Sequence, residues 1–293
     1  MTHNLATELG RIGIWQFALG APDGTGLAPE LVDGAKELEQ LGYRALWLGG
    51  SPRVRATEPV LAATSTLRVV TGITSIWDDE PAVTAADFAA LNDAHGGRLV
   101  LGLGVSHAAL AGERYRRPYT AMVDYLTALD EAPRPVPADR RVLAALGPRM
   151  LELSRDRAAG AHPYLVTVEH TASARAALGE GALLAPELKV VLDTDLARAR
   201  ATARGYLTRY LQLPNYTRNL LRLGFAEADF ADGGSDRLLS EVFALGDVDT
   251  VRQRVDDFLA AGADHLAVQV VTERVGAEFP VAAFRALAPA LAG

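Results

Sequence analysis

Glycines and polar residues follow directly after several apolar runs, and the clearest case is the segment 101–107, LGLGVSH. Glycines at the end of a strand let a ligand approach the backbone closely, although tight packing inside the protein also selects them. Ser106 and His107 come next. An imidazole titrates near neutral pH, so His107 is a candidate proton donor or a hydrogen-bond partner for a bound group.

Two further features indicate ligand contacts at the ends of strands. In the sequence Gly147-Pro148-Arg149, a proline at the first helical position leaves free N–H groups that suit a phosphate, although an ordinary helix start has the same pattern. Trp15 lies at the end of the first apolar run, and Trp77 follows the third. They are candidate walls of an apolar substrate pocket, and they suit the core equally well.

Several function classes are disfavoured by composition. The chain has no cysteine, its six histidines are scattered, and few carboxylates are paired, so hydrolytic or metal chemistry has little support and no metal site is predicted. The net charge of -7 without a basic cluster disfavours nucleic acid, and the apolar runs are too short to span a membrane. We expect a soluble cytoplasmic protein that acts on a small molecule through a bound cofactor.

Eight strand-like apolar runs alternate with helical segments, which predicts a parallel sheet with crossover helices. A closed (β/α)8 TIM barrel, α/β in class and forming one domain over residues 1–293, fits eight strands best. An open doubly wound sheet is the alternative, but no glycine-rich turn follows the first run. The predicted strands are 11–16, 45–48, 68–74, 99–105, 141–146, 162–166, 188–192 and 265–271.

One phrase recurs before every second strand: a helix, then a glycine, then an apolar run. The glycines are Gly42, Gly96, Gly160 and Gly262. Each suits the left-handed conformation that ends a helix. In a barrel built this way, functional residues lie at the carboxyl ends of the strands.

The chain resembles the luciferase-like monooxygenase superfamily over nearly its whole length. More narrowly, it resembles the branch that uses coenzyme F-420, an 8-hydroxy-5-deazaflavin. The third-strand and fourth-strand motifs are specific when they occur together and in this order. The similar segments are 72–81 (GITSIWDDEP), 97–105 (GRLVLGLGV), 145–150 (ALGPRM), 160–166 (GAHPYLV) and 245–271.

The resemblance implies a TIM barrel with insertions, whose flavin-like ring lies at the carboxyl ends of the strands. It implies a non-prolyl cis peptide at Gly72–Ile73, a phosphate near Ser106, His107 and Gly147, and a homodimer. The cofactor-binding residues expected on this basis are Gly72, Ile73, Thr74, Gly104, Val105, Ser106, His107, Gly147, Pro148 and Arg149.

Two departures from the family pattern bear on the reaction. Some relatives carry an acidic residue and a histidine at the end of strand two, where this chain has Gly49-Gly50-Ser51. Some carry a glutamate after strand four, near the position of His107. The resemblance therefore predicts an F-420-dependent oxidoreductase acting on an unidentified small molecule. An FMN-dependent monooxygenase and a non-catalytic flavin-binding protein remain as alternatives.

Overall fold

The strand-like runs form one parallel sheet in a computed structural model that describes residues 5–20, 26–274 and 276–292. The predicted loop at 20–26 lies mostly outside the described residues. The strands are β1 (Ile12–Phe17), β2 (Ala45–Gly49), β3 (Arg68–Thr71), β4 (Thr74–Ser75), β5 (Leu99–Gly104), β6 (Arg141–Leu143), β7 (Gly160–Ala161), β8 (Leu183–Leu184), β9 (Glu187–Leu192), β10 (Phe243–Gly246) and β11 (Leu266–Val270).

The sheet closes on itself, as a TIM barrel requires. Its order is β10-β9-β11-β1-β2-β3-β5-β6-β7-β8, with β4 paired to β5. Strands β8 and β9 are two parts of one extended segment, and the first pairs with β7 while the second pairs with β11. The backbone N–H of Asp264 also donates to the carbonyl of Leu184 at 2.9 Å. The predicted TIM-barrel fold is therefore confirmed.

Helices cover the outside of the sheet and follow the strands in alternation. Proline is the first or second residue of six of them, which suits positions whose N–H has no partner within the helix. No helix among the described residues is long and apolar enough to cross a bilayer. The helices are α1 (Leu5–Leu9), α2 (Pro29–Gln40), α3 (Glu58–Ala63), α4 (Pro81–Ala94), α5 (Ala108–Ala111), α6 (Pro118–Asp130), α7 (Pro148–Arg157), α8 (Val168–Leu178), α9 (Leu196–Tyr210), α10 (Pro214–Arg222), α11 (Asp236–Val242), α12 (Val248–Ala260) and α13 (Val281–Leu291).

The sixth strand differs from its prediction. We expected residues 162–166, but β7 is Gly160–Ala161. The chain leaves the ladder there because Pro163 has no N–H to donate and Leu165 has a positive φ of 55°. The edge of β9 that this departure exposes is covered by β10, a strand that the sequence did not predict.

Two threonines fix the start of α8. Thr171 lies inside the helix, where its hydroxyl donates to the carbonyl of Thr167. Thr167 is the N-cap, and its hydroxyl accepts the N–H of His170 at 3.1 Å.

Arg98 links the fourth barrel strand to the end of α3. It is 9% exposed, and its guanidinium donates to the carbonyls of Leu61, Thr64, Leu67 and His95. These carbonyls lie at helix and strand ends that have no partner in their own elements. The arginine of the GRL motif is therefore a structural residue beneath the barrel mouth.

Aromatic and imidazole rings fill the interior of the barrel. The Trp47 indole donates to His265 Nε2 at 2.9 Å, and His265 Nδ1 lies 2.6 Å from the carbonyl oxygen of Gly10. The His162 ring stacks on the Trp47 indole, and the two ring centroids lie 4.3 Å apart. Burial lowers the pKa of both His162 and His265 to about 4, so both rings are neutral at neutral pH.

These neutral imidazoles predict a loss of stability in mild acid. A histidine in the unfolded chain binds a proton near pH 6.5, whereas His162 in the folded protein binds one only near pH 4. As the pH falls, the unfolded state is therefore protonated before the folded state and is stabilised relative to it. His162→Phe keeps a ring against Trp47 and removes the titrating group. Between about pH 7.5 and 5, the wild type should lose about 2 kcal/mol more unfolding free energy than this variant. Urea unfolding at each pH measures the difference, and parallel pH profiles would contradict it.

Candidate active site

A cavity of about 720 Å³ opens at the carboxyl ends of the barrel strands. This is within the range of small-molecule sites, on the order of 300–1,000 Å³. Its walls come from the ends of β1, β3, β5 and β6 and from helices α9 and α10. The residues that line it are Trp15, Phe17, Gly50, Ser51, Gly72, Ile73, Val105, Ser106, His107, Leu110, Ala144, Ala145, Leu146, Gly147, Met150, His162, Tyr164, Arg209, Tyr210, Leu213, Asn215, Tyr216, Arg218 and Arg222.

Most of the residues selected from the sequence meet at this cavity. They come from four separate strand ends, as expected for a barrel. Those that line it are Trp15, Gly72, Ile73, Val105, Ser106, His107 and Gly147. Their roles in binding remain predictions, but the fold brings them together.

Five selected residues lie beside the cavity without lining it. Thr74 is buried and donates to the carbonyl of Pro52, while Gly104 packs behind Ile73. The Trp77 indole donates to the carbonyl of Val105 at 2.7 Å and so supports the loop after β5. Pro148 and Arg149 are exposed on α7, with the Arg149 guanidinium 4.0 Å from the ring centroid of Tyr119.

The wall between β3 and β4 is a break in the strand at Gly72–Ile73, where the peptide bond is cis, as the family resemblance predicts. Two glycines of β5 make room for it. A Cβ at Gly102 would lie 1.8 Å from the carbonyl oxygen of Thr71, and a Cβ at Gly104 would lie 2.6 Å from the Ile73 side chain. The glycines of the LGLG motif therefore serve close packing of this wall.

Trp15 accounts for the glycine at position 49, at the end of strand two. Its indole donates to the carbonyl of Gly72 at 3.1 Å and fills the space above Gly49. A Cβ at Gly49 would lie 1.9 Å from the Trp15 ring, so a larger residue cannot stand there. The tryptophan occupies the space next to the position where some relatives carry polar side chains.

His107 stands at the end of the loop after β5, directly before α5. Its ring centroid lies 4.9 Å from that of Tyr216, and its Nδ1 is buried with no hydrogen-bond partner. Burial lowers the pKa of His107, so the ring is neutral at neutral pH. A neutral imidazole that lines a cavity can accept a proton or a hydrogen bond.

His162 forms part of the cavity floor and was not selected from the sequence. Its Nδ1 lies 2.7 Å from the carbonyl oxygen of Ala185, which assigns the proton to that nitrogen. The opposite nitrogen, Nε2, is then a buried acceptor, and it has no partner among the described residues. A ligand group that donates an N–H or O–H would satisfy it.

Tyrosines from three elements form one side of the cavity: Tyr164, Tyr210 and Tyr216 line it, and Tyr206 lies behind them. The Tyr164 hydroxyl donates to Gln269 Oε1 at 2.8 Å and lies 2.5 Å from the Tyr206 hydroxyl. Tyr206 in turn donates to Tyr210 at 2.9 Å. Burial raises the pKa of Tyr164 well above its usual value, so its phenol stays neutral. We call Tyr164, Tyr206, Tyr210 and Tyr216 the tyrosine wall.

A buried ion pair lies behind the tyrosine wall. Glu187 and Lys189 are two residues apart on β9, so both point into the barrel, and they contact each other with essentially no exposure. The ammonium of Lys189 lies 3.9 Å from the Tyr164 ring centroid. The pair fills the barrel beneath the cavity and orients the tyrosine above it.

Three arginines give the cavity a positive charge that the sequence analysis missed. Arg218 and Arg222 lie four residues apart on α10, and Arg209 lies at the end of α9. None of the three forms an ion pair within the described part of the chain, and Arg222 bonds only the amide of Asn219. A sequence signal existed, because α10 contains two arginines and no acidic residue.

The chemistry of the lining fits an organic ligand with an anionic group. In the described ranges, no three His, Asp or Glu side chains are grouped as a metal site. Gly147 is the N-cap of α7, and a Cβ added there would meet only the Arg222 guanidinium, at 3.9 Å. Pro148 has no N–H, and the N–H of Met150 already donates to the carbonyl of Gly147. The positive end of the helix dipole beside a guanidinium is nevertheless suited to a phosphate or a carboxylate.

Comparisons with known proteins give the family. A curated relative, the 5,10-methylenetetrahydromethanopterin reductase of Methanolobus tindarius, is 31% identical over 102 residues. That match spans 32% of this chain and 31% of the relative, so the chain matches less than a third of that protein's length.

Two solved structures share the fold over almost the whole chain. The coenzyme F-420 dependent tetrahydromethanopterin reductase of Methanopyrus kandleri superposes with a TM-score of 0.71 at 16% identity, covering 96% of this chain and 98% of that one. The oxygenating constituent of 3,6-diketocamphane monooxygenase from Pseudomonas putida, a type II Baeyer-Villiger monooxygenase in complex with FMN, gives 0.69 at 15%, covering 96% and 97%. At these identities the likeness concerns the fold.

The family sequence model described as luciferase-like monooxygenase matches residues 12–265, which include every strand of the barrel except β11. The matched region also contains the strand break, the glycine motif and the cavity that they form. This chain therefore belongs to the luciferase-like monooxygenase family.

Proposed function

We propose that this protein is an oxidoreductase that uses coenzyme F-420 to move a hydride to or from a small organic molecule. The observation that carries the proposal is the cavity itself, which extends from the break at Gly72–Ile73 to the guanidinium of Arg222. A flavin-like cofactor matches both ends, because its flat ring suits the wall at Gly72–Ile73 and the phosphate on its side chain suits Arg222. The sequence match to a reductase supports this chemistry over oxygen insertion.

The residues of the cavity fit such a cofactor on three counts. The buried Nε2 of His162 has no partner, and the pyrimidine end of a deazaflavin carries an imide N–H that could donate to it. Gly147 and Arg222 suit the phosphate. Ile73 and Trp15 offer apolar surface to a ring. FMN has the same imide and phosphate, so it remains the alternative cofactor.

His107 is our candidate for proton transfer. When bound, the coenzyme supplies the ring carbon that takes or gives the hydride, so that the substrate loses or gains two electrons. The neutral imidazole of His107 accepts a proton from a substrate hydroxyl in one direction and returns it in the other. The tyrosine wall gives the substrate a hydrogen-bonding surface.

Direct titration tests the cofactor. We expect purified protein to quench the fluorescence of F-420 with a saturable binding curve, and to bind FMN more weakly, because the sequence resembles the deazaflavin branch. Tight binding of FMN with none of F-420 would favour the monooxygenase alternative. Binding of neither would contradict both and favour a non-catalytic protein.

Arg222→Met tests the phosphate contact. Losing one charge-assisted hydrogen bond costs about 1.5–3 kcal/mol, so the Kd for F-420 should rise at least tenfold. The Kd for the deazaflavin chromophore without its phosphate should stay unchanged. Arg252→Met, which removes an exposed arginine on α12, is the matched control. An equal effect on both ligands would remove Arg222 from phosphate binding.

His107→Ala tests proton transfer. With whichever alcohol, aldehyde or ketone of a screening panel gives turnover, kcat should fall by about 10²-fold or more. The Kd for F-420 should change much less, because the ring contributes little area to binding. His95→Ala, outside the cavity, should retain wild-type kcat. If turnover by His107→Ala equals the wild-type rate, His107 has no part in the reaction.

A further inference from the structure

The positive charge of the cavity lies on two different walls. Arg218 and Arg222 share one face of α10, and Arg222 reaches the loop after β6, the fifth barrel strand. Arg209 instead packs over Phe17 at the end of β1, with its guanidinium 5.2 Å from the ring centroid. In a barrel of eight strands, the first and fifth lie opposite each other. One anionic group of a bound cofactor does not account for both walls.

Arg209 differs from the other arginines of its helix. On α9, Arg198 pairs with Asp193, and both Arg200 and Arg204 pair with Asp236. Arg209 has no carboxylate partner among the described residues, and its one hydrogen bond is a 3.4 Å contact with the Tyr210 hydroxyl. It is also the one of these four that lines the cavity.

Aromatic rings hold the Arg209 guanidinium in place. Its central carbon lies 5.1 Å from the ring centroid of Tyr206 and 5.0 Å from that of Tyr210, in addition to its contact with Phe17. Stacking of this kind fixes the plane of a guanidinium and leaves its N–H groups free to bind an oxyanion in a bidentate manner. The tyrosine wall adjoins it and supplies apolar surface with hydroxyl groups.

We propose that Arg209 binds the carboxylate of the substrate, so that the substrates of this enzyme are small organic acids. The acid group lies at the β1 side of the cavity, and the rest of the molecule packs against Tyr210 and Tyr216. This assignment rests on the proposed function, because it places the coenzyme phosphate at the opposite wall. It makes Arg209 the residue that selects acids over neutral analogues.

The test compares acids with their neutral amides on protein saturated with F-420. The probes are benzoate and benzamide, and phenylacetate and phenylacetamide, with binding measured by calorimetry. We expect each acid to bind at least tenfold more tightly than its amide. Arg209→Met should abolish that preference, and Arg209→Lys should keep part of it. Arg200→Met, on the same helix but outside the cavity, should retain the wild-type preference.

Three results would overturn the proposal: equal affinity for acid and amide, no binding of either acid at millimolar concentration, or an unchanged preference in Arg209→Met.

The coenzyme also carries an acidic side chain, so a second arm compares F-420 with its phosphate-free chromophore. If Arg209→Met weakens only F-420, the arginine serves the coenzyme and the proposal is wrong. If wild-type protein does not bind F-420, the proposed function fails, and the same acid and amide titrations on cofactor-free protein still decide the role of Arg209.

Discussion

The close approach of strand β5 to the end of β3 is the constraint on which the cavity depends. Side chains are absent at Gly102 and Gly104, so the Thr71 carbonyl and the Ile73 side chain occupy the space that Cβ atoms would fill. This lets β3 break at Gly72–Ile73 and resume as β4, still paired to β5. The break forms a wall of the cavity at the height where the barrel opens.

The interior below this wall is neutral, and the mouth above it is positive. Imidazoles whose pKa burial has lowered, phenols whose pKa burial has raised, and one ion pair fill the barrel without net charge. The unpaired guanidiniums come from α9 and α10, at the rim. The chain as a whole carries a net charge of -7, so this local excess of arginine is not a general property of the surface. It favours an anionic ligand at the mouth of an apolar site.

Much of the fold could be predicted from the sequence because buried strands are apolar and the helices before them often end at a glycine. Apolar runs and helix-ending glycines located seven of the eight barrel strands and placed the sixth within a few residues, and the strand ends then located Gly72, His107 and Gly147 at one rim. The boundaries failed where backbone chemistry overrode hydrophobicity, as at Pro163. Strand β10 is short, and its pairing depends on the edge that β7 leaves open, which no local pattern reveals.

The cavity residues that were missed lie on helices or deep in the barrel. Arg209 and Arg222 belong to helices after the seventh strand, so a search limited to strand ends passes over them, although the lack of acidic neighbours marks them. His162 falls inside a predicted strand, and only the tertiary structure shows its unpartnered nitrogen.

The proposed function requires that one cavity hold the ring against Gly72–Ile73 and the phosphate at Arg222. A crystal structure of the protein with F-420 decides whether it does. We expect the bound coenzyme to contact both ends of this cavity, and coenzyme bound elsewhere, with only solvent in the cavity, would contradict the proposal.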